Sequence, residues 1–161
     1  MTPELYWIPI EAGHLAIMAR PRAGEWLEDE ISGWRREGVD VVVSLLEPSE
    51  SHELELDDEA MLCVASEIEF VSFPVRDRGV PASVPATAKI VEVLSAKVRS
   101  GASVAIHCRA GIGRSSLLAA CVLTKFGIEL RKAFELIGKA RGVNVPDTPE
   151  QEQWVAAFLR R

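Results

Sequence analysis

The chain has 161 residues, 48% of them apolar and 26% charged, and its 18 basic against 24 acidic side chains give a formal net charge of -6. That length fits one domain spanning 1–161, and the composition argues against intrinsic disorder, a collagen-like structure and a coiled-coil rod. So acidic a chain does not grip nucleic acid by overall charge, which leaves room only for a small local anion site. In chain order, Tyr6 to Ile10 and His14 to Met18 read as a hairpin around Glu11-Ala12-Gly13. Gly24 to Glu37 reads as a helix with Trp26, Ile31 and Trp34 apolar and Gly38 as its cap. Val39 to Leu46 is a β-branched apolar run, the mark of a strand covered on both faces. A helix over Asp57 to Glu67 and a strand over Ile68 to Val75 follow. Pro85 to Arg99 is an amphipathic helix ended by Gly101, and Ser103 to His107 is a short buried strand. Arg114 to Phe126 is apolar nearly all round, as in a helix that runs through the core, with Gly127 as its stop. Leu130 to Arg141 and Pro149 to Arg160 complete the chain as helices. Strands alternating with helices predict an α/β fold with a mostly parallel central sheet flanked by helices.

In such sheets ligands sit at the carboxyl ends of strands. The loop between the last strand and the core helix reads His107-Cys108-Arg109-Ala110-Gly111-Ile112-Gly113-Arg114-Ser115. Its two glycines let successive N–H groups converge, the helix start adds partial positive charge, and Arg114 adds a planar fork of donors. Together these make a site for a tetrahedral oxyanion such as phosphate. The same donors aimed at Cys108 favour its thiolate, the nucleophilic form. A lone cysteine after a strand is usually a packing residue. The conjunction of His-Cys, five residues, Arg and Ser at a strand-to-helix junction is far more specific. Cys63 and Cys121 lack that setting and belong in the core.

Three cysteines are an odd number and suggest no disulfide framework, which fits a reducing, cytoplasmic setting. The opening MTPELYWIPIEAG lacks the basic start and apolar run of a leader, and the longest apolar run, Leu117 to Leu123, is too short to span a bilayer. No membrane signal, no metal-ligand spacing and no cofactor motif is read. Oligomeric state is not legible here.

HCRAGIGRS resembles the signature loop of the cysteine-dependent protein tyrosine and dual-specificity phosphatases. FPVRDRGVP (Phe73 to Pro81) resembles their general-acid loop, and VNVPDTPEQ (Val143 to Gln151) resembles a segment of the smaller members. The order of these motifs after VVVSLLEPSE is most similar to kinase-associated phosphatase-like members. The resemblance implies Cys108 as nucleophile through a phosphocysteine intermediate, Arg114 as phosphoryl clamp and Ser115 as hydrogen-bond donor to the sulfur. It implies Arg109, Ala110, Gly111, Ile112 and Gly113 as the substrate cradle. His107 would order the loop, and Asp77 would serve as acid and then base. The expected substrate is a phosphorylated protein or peptide, phosphotyrosine first, with phosphoserine and phosphothreonine open. The alternatives are a non-catalytic phosphate-binding module and a phosphoinositide phosphatase.

Asp77 also stands on chemistry, since expelling an alkoxide or phenoxide is aided by a proton donor. Flanking Arg76 and Arg78 would favour its ionised form, which leads to an expected mildly acidic optimum. Thr148-Pro149-Glu150-Gln151 is a capping box, and that accounts for Gln151 without the water-positioning role the resemblance allows. Asp57-Asp58-Glu59 reads as an acidic helix N-terminus. The four tryptophans read as packing residues, and His14 and His52 show no partner.

Overall fold

The computed structural model describes residues 4–11 and 13–161. Residues 1–3 and Ala12, the middle of the expected turn, lie outside the described residues. Strands β1 (Tyr6–Ile8), β2 (His14–Met18), β3 (Val41–Ser44), β4 (Glu69–Ser72) and β5 (Ser103–His107) form one sheet in the order β1-β2-β5-β3-β4. Only β1 runs antiparallel, pairing with β2 as the expected hairpin. The mostly parallel α/β architecture is as expected. β5 lies between β2 and β3, with His107 opposite both Met18 and Ser44. The loop after it therefore opens at the middle of the sheet's carboxyl edge.

Alternation along the strands sends side chains to two separate cores. Leu15, Ile17, Val41, Val43, Val104 and Ile106 join one core with helices α4 (Val84–Arg99), α5 (Arg114–Thr124), α6 (Leu130–Arg141) and α7 (Pro149–Leu159). Ala16, Met18, Val42 and Ala105 join the other with α1 (Leu27–Arg36) and α3 (Glu59–Ala65). Burial on both faces is what the near-continuous apolar strands require. Every residue of α5 from Arg114 to Leu123 is buried, so the helix that follows the signature loop is fixed by packing along its whole length.

Besides shorter ends to β1, α3 and α5, the elements differ from expectation in four places. A short helix α2 (Pro48–Glu53) follows β3 where none was expected. β3 stops at Ser44 because its neighbour β5 ends at His107, and the Leu45 N–H makes one last bond to the His107 carbonyl (2.9 Å). Leu45 and Leu46 stay buried outside the ladder. β4 is a half-exposed edge strand that covers only Glu69–Ser72 of the expected run, with Pro74, which has no N–H, just beyond it. Gly24–Trp26 is a 3-10 turn rather than the first turn of α1, and Trp26 is 49% exposed beneath the Arg22 guanidinium.

Candidate active site

The signature loop is shaped from outside. Gly111 takes left-handed backbone (φ 72°), and a Cβ there would lie 2.6 Å from the carbonyl of Met18. Only glycine brings the loop that close to β2. Four successive carbonyls are claimed by donors behind the loop. The Cys108 carbonyl accepts from His107 Nδ1 (3.2 Å) and the Arg109 carbonyl from the Arg20 N–H (3.2 Å). Arg141 donates to the Ala110 and Gly111 carbonyls (3.2 and 3.1 Å) and stacks on the Tyr6 ring. Because a trans peptide sets its N–H opposite its carbonyl, the N–H groups of Arg109, Ala110, Gly111 and Ile112 turn to the concave side. The α5 N-terminus at Arg114 completes the bowl.

Cys108 lies at its floor, with Sγ 3.4 Å from Ser115 Oγ. A cavity of about 230 Å³ above it is lined by Asp77, Arg78, Cys108, Arg109, Ala110, Ile112, Gly113, Arg114, Asp147 and Gln151. The expected site residues are thus brought together, with Gly111, Ser115 and His107 forming the wall behind. A wider hollow of about 700 Å³ along α6, lined among others by Arg131, Glu135 and Lys139, contains no cysteine and none of the expected site residues.

Arg114 is the most heavily partnered side chain of the site. Glu50 of α2 grips its guanidinium with both oxygens (2.6 and 3.0 Å), and the Val75 carbonyl accepts from Nη1 (2.8 Å). Asp77 Oδ1 lies 3.1 Å from Nη2. Burial pushes the Glu50 carboxyl up, but hydrogen bonds from Arg114 and the Glu47 backbone, with the charges of Arg114 and Arg109, hold it below the usual range. Burial disfavours the Arg114 cation, yet the Glu50 hydrogen bond and the negative groups Cys108, Glu50 and Asp77 leave it bound more firmly to its proton than usual. The cation at Asp77 is therefore Arg114, not the flanking Arg78, which pairs with Asp147 (3.3 Å).

Behind the loop, buried His107 donates from Nδ1 to a carbonyl and shares a hydrogen between Nε2 and Glu59 Oε2 (2.6 Å). Glu59 opens α3, as expected of the acidic cluster, but it is buried as the partner of His107. Burial pushes the Cys63 and Cys121 thiols up to about 12, as befits core residues. Gln151 completes the expected capping box with Thr148. His14 and His52 do have partners, Ser103 Oγ (3.3 Å) and Asp57 (3.1 Å) respectively.

Sequence reasoning missed Glu50, Glu59, Arg141 and Asp147. Glu50 carried a signal: Glu47-Pro48-Ser49-Glu50 is a capping box with proline at the first helical position, and both of its hydrogen bonds form. The other three reach the site across distances of 30 or more residues that no local pattern encodes.

Residues 16–128 match the family described as "Polymorphic toxin system, DSP-PTPase phosphatase". No curated protein matches. Among solved structures, kinase associated phosphatase with its catalytic-site cysteine changed to serine shares the fold at TM-score 0.91 and 19% identity, covering 99% of this chain and 96% of that one. Tk-PTP in the active form has TM-score 0.81 and 27% identity over 100% and 99% of the two chains. PTPMT1 in complex with PI(5)P has TM-score 0.76 and 21% identity over 96% and 95%.

Proposed function

Since this chain belongs to the polymorphic toxin system DSP-PTPase phosphatase family, we propose that it hydrolyses phosphomonoesters through a phosphocysteine on Cys108, with phosphotyrosine on protein or peptide as its substrate. One observation carries the reading: a cysteine sulfur, a guanidinium and a carboxyl line a single cavity of about 230 Å³ at the end of β5. A phosphoryl group seated in the bowl takes hydrogen bonds from the loop amides and from Arg114. In doing so it displaces Asp77 from the Arg114 Nη2 group and frees that carboxyl to serve as proton donor. The Cys108 thiolate attacks phosphorus, the P–O bond breaks, and Asp77 gives its proton to the departing oxygen. Asp77 then takes a proton from water as the water attacks phosphorus. The S–P bond breaks, inorganic phosphate leaves, and the Ser115 hydroxyl steadies the returning thiolate. Arg109 and Ile112 line the rim where the rest of the substrate would lie. Three free, buried cysteines fit a reducing, cytoplasmic setting.

The test is hydrolysis of an aryl phosphate in chelator, followed by a comparison of phosphotyrosine, phosphoserine and phosphothreonine peptides with a phosphoinositide. Phosphotyrosine should be turned over fastest, and the phosphoinositide arm decides the alternative lipid reading. Cys108→Ser should abolish turnover while still binding phosphate. Turnover that survives this change would refute the assignment.

A further inference from the structure

The turn that bears Asp77 has little support of its own. One hydrogen bond closes it, from the Gly79 N–H to the Arg76 carbonyl (2.7 Å). Arg78 sits in left-handed backbone (φ 58°), which is unfavourable for a residue with a side chain. Apart from the Asp77–Arg114 contact (3.1 Å), which a bound phosphoryl group would break, the turn's support comes from α7. Gln151 is wholly buried. Its Oε1 accepts from the N–H groups of Asp147 and Thr148 (3.0 and 3.1 Å), and its Nε2 donates to the Gly79 carbonyl (3.1 Å). The same amide group lies against the bowl, where a Cβ on Gly113 would come within 2.9 Å of Oε1. One side chain therefore touches the acid turn, the signature loop and the start of α7. The Arg78–Asp147 pair (3.3 Å) joins the turn to the same segment a second time.

We infer that Gln151 is a positioning residue for the acid: by donating to Gly79 it holds the Asp77 turn over Cys108. This rests on the reading of Asp77 as proton donor. This role is distinct from orienting a water through Oε1, because both lone pairs of that oxygen are taken by backbone N–H groups. The α7 cap and the acid turn are thus one mechanical unit.

Gln151→Glu separates the two jobs of this side chain. The carboxylate keeps the capping acceptors, but it sets an oxygen against the Gly79 carbonyl where a donor stood. The experiment measures kcat/KM for a series of aryl phosphates from nitrophenyl to phenyl. This ratio covers only the steps up to the phosphocysteine, so water orientation does not enter it. Gln151→Glu should lose activity more steeply as the leaving phenol becomes poorer, by about ten-fold across the series, a fraction of the roughly 10²–10⁴ a whole acid supplies. In an Asp77→Asn background the same change should add no steepening. Thr148→Ala, which weakens only the cap, should lower Tm without steepening. Amide exchange over residues 76–81 should quicken in Gln151→Glu while α5 stays protected. Unchanged exchange there overturns the inference. So does a loss equal for all leaving groups, or an intact kcat/KM with a burst of phenol. Lack of turnover by the parent protein, or turnover surviving Cys108→Ser, would overturn the phosphatase reading instead, and the exchange measurement would still judge the clamp.

Discussion

Replacing Glu50 by glutamine tests whether the buried pair with Arg114 holds the site together. Both carboxylate oxygens are bonded to the guanidinium (2.6 and 3.0 Å), and the two side chains are only 9% and 2% exposed, so solvent screens the pair little. Glutamine keeps one acceptor but turns an NH₂ group against a cation. The loss is that of a charge-assisted bond, about 1.5–3 kcal/mol. Complete removal of the partner in Glu50→Ala would approach about 3–5 kcal/mol, because a buried cation is then left uncompensated. In a chain of this size the glutamine variant should melt about 3–12 °C lower. The pH dependence supplies a second check. The Glu50 carboxyl is held lower in the folded protein than in the unfolded chain. Its contribution is therefore fully present above the unfolded value near about 4.3 and is lost as pH falls through the folded one. Urea unfolding from pH 7 downward should show the gap between parent and Glu50→Gln closing below about pH 4. A gap that is absent at pH 7, or that does not change on acidification, would refute the reasoning.

Three further outcomes follow from the loop and the thiols. Gly111→Ala should cost about 1–2 kcal/mol for its left-handed backbone alone. Its Cβ also meets the Met18 carbonyl at 2.6 Å, so calorimetry should show phosphate binding lost; binding like the parent's would mean the loop is not held against β2. Arg141→Met removes the donors to two loop carbonyls, and at about 1 kcal/mol per lost bond vanadate binding should weaken about 30-fold, with α5 still protected from exchange. Iodoacetamide at pH 7 should label Cys108 alone by mass spectrometry, since Cys63 and Cys121 are buried thiols pushed up to about 12. Labelling of either at a comparable rate would contradict their core placement.

What the sequence disclosed and what it hid divide along physical lines. Strand and helix patterning was legible because both sheet faces are buried, so Val41–Ser44 and Ser103–His107 carry no polar interruption before their ends. The bowl was legible because glycines, a helix start and a following arginine are local signals. The partners of that arginine were not. Glu50 and Asp77 reach Arg114 from chain positions 64 and 37 residues away; the loop around Asp77 marks it as the acid and the capping box marks Glu50 as a helix start, but neither shows that it pairs with Arg114. Glu59 was read by its helix position, and only the packing of α3 against the sheet shows that it faces His107. Arg78, expected to bias Asp77, pairs instead with Asp147 across the cavity rim, which adjacency in sequence could not reveal.

The four outward-held carbonyls of the signature loop have a consequence for how fast an anion can be taken up. The donors that restrain them belong to the protein's own framework, so the inward electric field exists whether or not an anion is bound. An arriving oxyanion then has no chain segment to fold around itself and loses no affinity to ordering one. The reorganisation left to it is local: shedding its own hydration and prising Asp77 from Arg114. Capture should therefore be governed by diffusion and by that single exchange of partners, with a rate that falls as added salt screens the attraction.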